Sequence, residues 1–319
     1  MSGPRTRRAI AALAALFATI VAGGAAALER TTVSAEVEGQ RIAVVVYRPD
    51  GAGPFPLLIL SHGSPRKPAD RASYGEDTLR RQAEAYAASG VAVAVPIRRG
   101  YGGAGDWAEG YGGCEHPDYY DAGLASARDI AAARAAVSKL PGIDGARVVL
   151  MGVSAGGWAS LAAATAGGVR GVVNFAGGRG SRGPDDVCGE DELIGAVARY
   201  GAASRAPELW FYSQNDRFFG PALAHRLHEA FTAAGGKATF VAAPPYRDDG
   251  HGYIADIASW KPEVDRFLRR IGFLDAARGS SEDSAGKVEG ALDKAARAAA
   301  AATRAKDGGA GAARPSPPQ

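Results

Sequence analysis

One short segment constrains the fold of this 319-residue chain more than any other. The sequence Gly-Val-Ser-Ala-Gly at residues 152–156 follows an apolar run at 148–151 and opens an alanine-rich stretch at 155–166. A serine in that setting is typical of a sharp strand-to-helix turn, in which flanking glycines remove side-chain clashes. The turn would hold the Ser154 hydroxyl at a helix N-terminus, where backbone N–H groups favour negative charge. We expect Ser154 to be a nucleophile; the alternative is an incidental serine in a glycine-rich turn.

The surrounding sequence alternates between strand-like and helix-like patterns. Residues 32–38 and 41–47 predict an opening hairpin around Gly39. Six short apolar runs predict strands buried on both faces, and five segments between or after them predict helices. The strands are 55–61, 91–97, 148–151, 172–175, 209–212 and 239–242, and the helices are 77–88, 122–140, 155–166, 222–234 and 262–271. This alternation predicts an α/β fold with a mostly parallel, doubly wound sheet flanked by helices, whose working loops follow the carboxyl ends of the strands.

A nucleophilic serine requires a base, and the base requires an orienting acid. His251 follows the last predicted strand in a glycine-rich loop, so we expect it to be the base. Asp216 directly follows the strand at 209–212 and is the predicted acid, while Asp248 and Asp249 are rivals that more readily shape the histidine loop. The remaining histidines after Ser154, at positions 225 and 228, fall inside a predicted helix and are interpreted as a solvated face.

The oxyanion of an acyl-transfer intermediate needs two N–H donors. We expect one from Ala155, the residue after the nucleophile, and the other from the loop after the strand at 55–61. In that loop Ser64 is preferred and Gly63 is the alternative, while Pro65 has no N–H. His62 is interpreted as a packed structural side chain. The aromatic residues of the loop at 100–120 are expected either to line a substrate pocket or to pack beneath the loop.

The two ends of the chain differ from its centre. Residues 1–27 combine a basic start, an apolar run at 9–22 and an Ala-Ala-Ala end, which is typical of a cleaved secretory signal. The run is too short for a stable membrane anchor. We therefore expect a periplasmic or secreted protein with a catalytic domain at 28–274. Residues 275–319 are rich in Ala, Gly and Pro and predict a solvated, partly helical tail.

Charge and cysteine content narrow the function further. The chain has 37 Lys and Arg against 34 Asp and Glu, and the three surplus positive charges are Arg5, Arg7 and Arg8 of the predicted signal. The mature chain is thus formally neutral, and no nucleic-acid partner is expected. Cys114 and Cys188 both lie in segments that follow the carboxyl ends of predicted strands, on the same side of the sheet as the predicted catalytic residues. In an exported chain we expect them to form a disulfide, with two free thiols as the alternative.

Taken together, these motifs resemble the dienelactone-hydrolase-like α/β-hydrolases. The resemblance rests on His62-Gly63, Arg-Arg-Gly-Tyr-Gly-Gly at 98–103, the turn around Ser154, Asn215-Asp216 and Asp-Gly-His at 249–251, and it spans residues 28–274. It implies the α/β-hydrolase fold, a single catalytic domain, and acyl-enzyme chemistry on an ester without a metal or an organic cofactor. The name-giving enzymes use cysteine where this chain has Ser154; serine there also resembles esterases and prolyl-oligopeptidase-like enzymes.

Three hypotheses follow for the function. The leading one is an exported serine hydrolase that cleaves small-molecule carboxylic esters with Ser154, His251 and Asp216. The second is a serine peptidase or amidase, although the chain has no additional domain to screen peptides. The third is a non-catalytic binding protein on a hydrolase fold, against which the complete set of three residues argues.

Overall fold

The computed structural model describes residues 28–103 and 105–275 of the chain. The predicted signal segment at 1–27 and the predicted tail beyond Asp275 lie outside the described residues. None of the helices in the described part of the chain is both long and apolar enough to cross a membrane.

The described residues form ten strands, six α-helices and two short 3₁₀ helices. The strands are β1 (Glu29–Val37), β2 (Gln40–Arg48), β3 (Phe55–Ser61), β4 (Ala92–Pro96), β5 (Ile143–Val153), β6 (Gly171–Phe175), β7 (Ser181–Gly183), β8 (Asp186–Val187), β9 (Pro207–Ser213) and β10 (Lys237–Ala243). The helices are α1 (Arg80–Ala87), α2 (Tyr119–Val137), α3 (Ala155–Ala164), α4 (Glu190–Ala203), α5 (Pro221–Ala233) and α6 (Ile257–Arg270), with 3₁₀ helices at Pro68–Ser73 and Gly250–Ala255.

Eight strands build one sheet in the order β1-β2-β4-β3-β5-β6-β9-β10. The pairs β1–β2 and β2–β4 are antiparallel, and every other pair in this sheet is parallel. The predicted opening hairpin and the mostly parallel sheet are therefore confirmed. Strands β7 and β8 form a separate small hairpin.

Each face of the sheet buries its own hydrophobic layer. Side chains alternate along each strand, so that Leu57 and Ile59 of β3 enter one layer while Leu58 and Leu60 enter the other. Helices α2, α3, α4 and α5 cover the first layer, and α1 and α6 cover the second. Coverage on both faces explains why the inner strands β3, β4, β6 and β9 read as continuous apolar runs. The prediction of burial on both faces was wrong for residues 239–242, because β10 is an edge strand and most of its side chains are half-buried or exposed.

The structure corrects several predicted elements. Helix α4 and the β7–β8 hairpin were not predicted; α4 is rich in Ala, Gly and acidic residues, and only a narrow stripe of it, including Leu193, Val197 and Tyr200, is buried. Helix α6 begins at Ile257, before Pro262 rather than at it. Strand β5 begins at Ile143, because its irregular register around residues 144–147 interrupts the apolar pattern.

The parallel strands end together at one edge of the sheet. In the strand register, Ser61 of β3 lies beside Gly152 of β5, and Ala243 of β10 lies beside Ser213 of β9. The loops that follow these strands carry Ser64, Ser154, Asp216 and His251, which brings residues distant in sequence to the same edge.

Candidate active site

Ser154 occupies a strained turn between β5 and α3. Its backbone has φ 56° and ψ −125°, a combination that non-glycine residues rarely adopt and that costs about 1–3 kcal/mol. A Cβ on Gly152 would lie 2.2 Å from the carbonyl oxygen of Gly156, and a Cβ on Gly156 would lie 2.2 Å from that of Ser61. Both glycines are therefore required by close backbone approach, as the sequence pattern predicted.

His251 and Asp216 meet across the loops that follow β10 and β9. The Nδ1 atom of His251 lies 3.1 Å from Oδ2 and 3.2 Å from Oδ1 of Asp216, whose side chain is fully buried. Asp249 accepts hydrogen bonds from the backbone N–H groups of His251 and Arg217, both at 3.0 Å. Asp249 thus shapes the histidine loop, whereas Asp216 contacts the imidazole itself.

The second imidazole nitrogen is left unpaired. Nε2 of His251 is buried and has no hydrogen-bond partner among the described residues. No hydrogen bond joins Ser154 to His251 within residues 28–103 and 105–275. Such contacts in ligand-free active sites are often long and tighten only in the complex with substrate. The imidazole therefore has one nitrogen anchored on a carboxylate and one available to accept a proton.

Two phenylalanines enclose the imidazole. The ring of Phe218 stacks on that of His251 with centroids 3.8 Å apart and planes within 8°. Phe219 presents its ring at 66° to the imidazole, 5.5 Å away. They lie two and three residues after Asp216 in the chain, and their N–H groups donate to its Oδ1 at 2.7 and 3.0 Å. One short turn therefore carries both Asp216 and the two aromatic rings that pack against the imidazole of His251.

The loop after β3 runs beside the serine. A Cβ on Gly63 would lie 3.2 Å from the Cβ of Ser154. Ser64 lines the same surface cavity as Ser154. Ala155, the first residue of α3, has an N–H group with no partner inside the helix. Neither Gly63 nor Ser64 donates its N–H to another described residue. These amides are free to face a ligand beside Ser154.

His62 fixes the peptide between Gly63 and Ser64. Its Nδ1 lies 2.7 Å from the carbonyl oxygen of Gly63, and its Nε2 lies 3.3 Å from the backbone N–H of Arg98. Burial, followed by the nearby Arg98 guanidinium, lowers the pKa of His62 well below its ordinary value. The ring is therefore neutral, with its proton on Nδ1. Because the C=O and N–H of a trans peptide point in opposite directions, the N–H of Ser64 points away from His62.

A cavity of about 440 Å³ opens at Ser154. Among the described residues that line it, none is acidic, and three are arginines, at positions 66, 71 and 179. Aromatic side chains complete the lining, and they are Trp107, Tyr111, Phe218 and Phe219. Trp107 and Tyr111 belong to the loop at 100–120, so part of its aromatic content lines the cavity. Arg71 Nη1 and Arg179 Nε are buried without a hydrogen-bond partner in the described residues.

A buried carboxylate, that of Glu109, holds Arg179 of the cavity lining in place. Glu109 forms salt bridges with Arg98, at 3.1 Å, and with Arg179, and it accepts a hydrogen bond from Ser126. Burial would raise the pKa of Glu109, but the Arg179 and Arg98 guanidinium groups hold it below its ordinary value. Glu109 is therefore ionised and joins the loop after β4 to the segment after β6.

Cys114 and Cys188 are bonded to each other, as predicted for an oxidising environment. Their Cα atoms lie 5.3 Å apart, and they are 74 residues apart in sequence. The disulfide ties the loop that carries Trp107 and Tyr111 to the segment between β8 and α4. Within the described ranges, no three His, Cys, Asp or Glu side chains are grouped as metal ligands.

Other histidine predictions have mixed outcomes. His62 is buried between the rings of Tyr74 and Tyr101, which agrees with its interpretation as a packed residue. His225 is exposed, but His228 is half-buried, with Nε2 3.0 Å from the carbonyl oxygen of Ala238. The interpretation of both as a solvated face was wrong for His228, because β10 covers that side of α5.

Several residues around the site were not singled out from the sequence. Phe218 could have been predicted as a site residue, because it lies two residues after Asp216 in the loop that follows strand β9. Arg66, Glu109 and Arg179 come from three different loops, and only the folded arrangement relates them. Single residues in long loops carry no periodic signal.

A sequence model of the dienelactone hydrolase family matches residues 121–281, just over half of the chain. The matched stretch contains Ser154, Asp216 and His251. A comparison with curated proteins finds no match.

Solved structures resemble the chain in fold. A candidate dienelactone hydrolase from Klebsiella pneumoniae has a TM-score of 0.53 and 19% identity, over 77% of this chain and 99% of its own. An esterase from an Arctic intertidal metagenomic library has a TM-score of 0.55 and 19% identity, over 76% and 94%. Pyrococcus horikoshii acylaminoacyl peptidase has a TM-score of 0.55 and 16% identity, over 77% of this chain but only 41% of its own.

Proposed function

Because the chain belongs to the dienelactone hydrolase family, we propose that this hydrolase of the α/β-hydrolase fold is a serine esterase acting on small-molecule carboxylic esters. The observation that carries the proposal is the strained turn of Ser154, at the same sheet edge as the hydrogen-bonded pair of His251 and Asp216. In this proposal Ser154 is the nucleophile, His251 the base and Asp216 the orienting acid.

The reaction would proceed through an acyl-enzyme. Ser154 Oγ attacks the ester carbonyl carbon while its proton passes to Nε2 of His251, the nitrogen that has no partner. The imidazolium formed is stabilised by Asp216 and then donates the proton to the leaving alkoxide. A water molecule, deprotonated by the same nitrogen, releases the acid and restores the serine. No step calls for a metal or an organic cofactor.

The oxyanion would be held by two backbone N–H groups. Ala155 supplies the first, at the N-terminus of α3, where the helix dipole adds to the attraction. We assign the second to Ser64 rather than Gly63. This choice is supported by the hydrogen bond between His62 and the Gly63 carbonyl, which turns the N–H of Ser64 away from His62.

We also propose that residues 28–274 form one catalytic domain that works outside the cytoplasm, in the periplasm or as a secreted protein. The disulfide between Cys114 and Cys188 supports this location, because disulfides persist in oxidising compartments.

The test is the Ser154→Ala variant, assayed with p-nitrophenyl acetate and p-nitrophenyl butyrate. Loss of the nucleophile should lower kcat by about 10⁴-fold or more, because removing any member of such a triad costs that much. Ser160→Ala is the matched control, since Ser160 lies on α3 but donates to the carbonyl of Gly156 inside the helix. Undiminished turnover by Ser154→Ala would refute the assignment. Faster cleavage of aminoacyl p-nitroanilides than of esters by the wild-type chain would favour an amidase.

A further inference from the structure

The imidazole of His251 is the inner layer of a three-layer stack. Phe218 covers its face at 3.8 Å, and the guanidinium carbon of Arg66 lies 3.4 Å from the centroid of the Phe218 ring. We propose that Phe218 and Arg66 are positioning residues, which hold the plane of the His251 imidazole for proton transfer. The inference rests on the proposed function and deepens it.

Phe218 is held by the same carboxylate as the histidine. Asp216 Oδ1 accepts the N–H of Phe218 at 2.7 Å and lies 3.2 Å from Nδ1 of His251. The backbone of the stacking residue and the imidazole therefore share one anchor. A contact at one nitrogen alone leaves an imidazole free to tilt, whereas a parallel ring against its face opposes that motion.

Arg66 holds the outer face of Phe218. Its Nε and Nη2 donate to Ser181 Oγ at 3.1 and 2.9 Å, and Nη2 also donates to the carbonyl oxygens of Gly183 and Arg217 at 2.9 and 3.2 Å. None of the ion pairs in the described part of the chain includes Arg66. Its nearest contacts are neutral oxygens and the aromatic ring, and these contacts, from residues 181–183 and 217–218, fix the plane of the guanidinium group.

The stack acts at the nitrogen that the chemistry uses. Nε2 of His251 must accept the serine proton and later donate it. Small displacements of reacting groups lower the reaction rate strongly. A tilt of the ring would move Nε2, while Nδ1 could keep its contact with Asp216. Loss of the stack should therefore lower kcat and leave KM nearly unchanged, although Phe218 also lines the cavity.

The test compares Phe218→Leu with Phe218→Tyr. The leucine variant removes the flat face and should lower kcat for p-nitrophenyl acetate about 10-fold, equivalent to about 1.4 kcal/mol, with KM within about twofold of wild type. The tyrosine variant keeps the flat face and should retain kcat within about twofold. Arg66→Met should lower kcat about threefold, and Arg226→Met, an exposed arginine on α5, is the matched control.

A second measurement tests the packing of Phe218 on His251 without relying on enzymatic activity. Carbethoxylation of His251 by diethyl pyrocarbonate should be about fivefold faster in Phe218→Leu than in wild type, and unchanged in Phe218→Tyr, with thermal unfolding monitored for every variant. An increase in KM alone, or equal losses of kcat in the leucine and tyrosine variants, would overturn the positioning role. A wild-type chain inactive on all esters would overturn the proposed function instead, and the carbethoxylation rates would still test the stack.

Discussion

The disulfide between Cys114 and Cys188 offers a quantitative test of the fold. We expect the double variant Cys114→Ala/Cys188→Ala to lose about 4.4 kcal/mol of unfolding free energy at 25 °C. This value follows from the 74-residue separation, since cross-linking distant residues reduces the conformational entropy of the unfolded chain. Total stabilities of folded proteins are about 5–15 kcal/mol, so the variant should remain folded but markedly weakened.

The assay is equilibrium unfolding in urea, followed by far-ultraviolet circular dichroism. Wild type in the presence of a phosphine reductant provides the matched control, because it breaks the same bond without changing any side chain. The two unfolding free energies should agree within about 1 kcal/mol. The urea dependence should also steepen in the variant, because an uncrosslinked unfolded chain exposes more surface.

A loss below about 1 kcal/mol in both samples would refute the reasoning. It would mean that the unfolded chain stays compact without the bond, so that the cross-link removes little conformational entropy from it.

Two further predictions concern buried carboxylates. Burial raises the pKa of Glu208 to about 8, so its stabilising contribution is full below about pH 4.5 and is lost as pH rises through 8. The stability of wild type relative to Glu208→Gln should therefore fall by about 4 kcal/mol between pH 5 and pH 9 in urea titrations; a difference that does not change with pH would contradict the assignment. Glu109→Gln should cost about 3–5 kcal/mol, because it leaves two buried guanidinium groups without their anion, and a change below 1 kcal/mol by thermal unfolding would argue against that.

The architecture was largely predictable from the sequence because it depends on periodic signals. Strands buried on both faces give unbroken apolar runs, and the serine turn requires glycines at fixed positions, so the loops bearing Ser154, Asp216 and His251 could be assigned to one edge. Helix α4 escaped because its buried stripe is narrow and its remaining residues are small or acidic.

Contacts between loops could not be predicted in the same way. The stacking of Phe218 on His251 depends on side-chain orientation within one turn, and the position of Arg66 depends on a hairpin that was itself not predicted. The link from Glu109 to Arg179 joins residues 70 positions apart, with no spacing rule to relate them. Such contacts follow from packing in the folded state, which a local pattern does not encode.

The acid-free lining of the cavity at Ser154 has a consequence for the end of the proposed ester-hydrolysis cycle. Hydrolysis of any ester, even an uncharged one, leaves a carboxylate where none was present before. That anion would form beside Arg66, Arg71 and Arg179, with no neighbouring negative charge among the cavity's described lining residues to repel it. Attraction to Arg66 and Arg71, which form no ion pair among the described residues, would slow its departure, so that accumulated acid competes with fresh ester. Sustained flux through such an enzyme would then depend on how quickly its surroundings remove the acid.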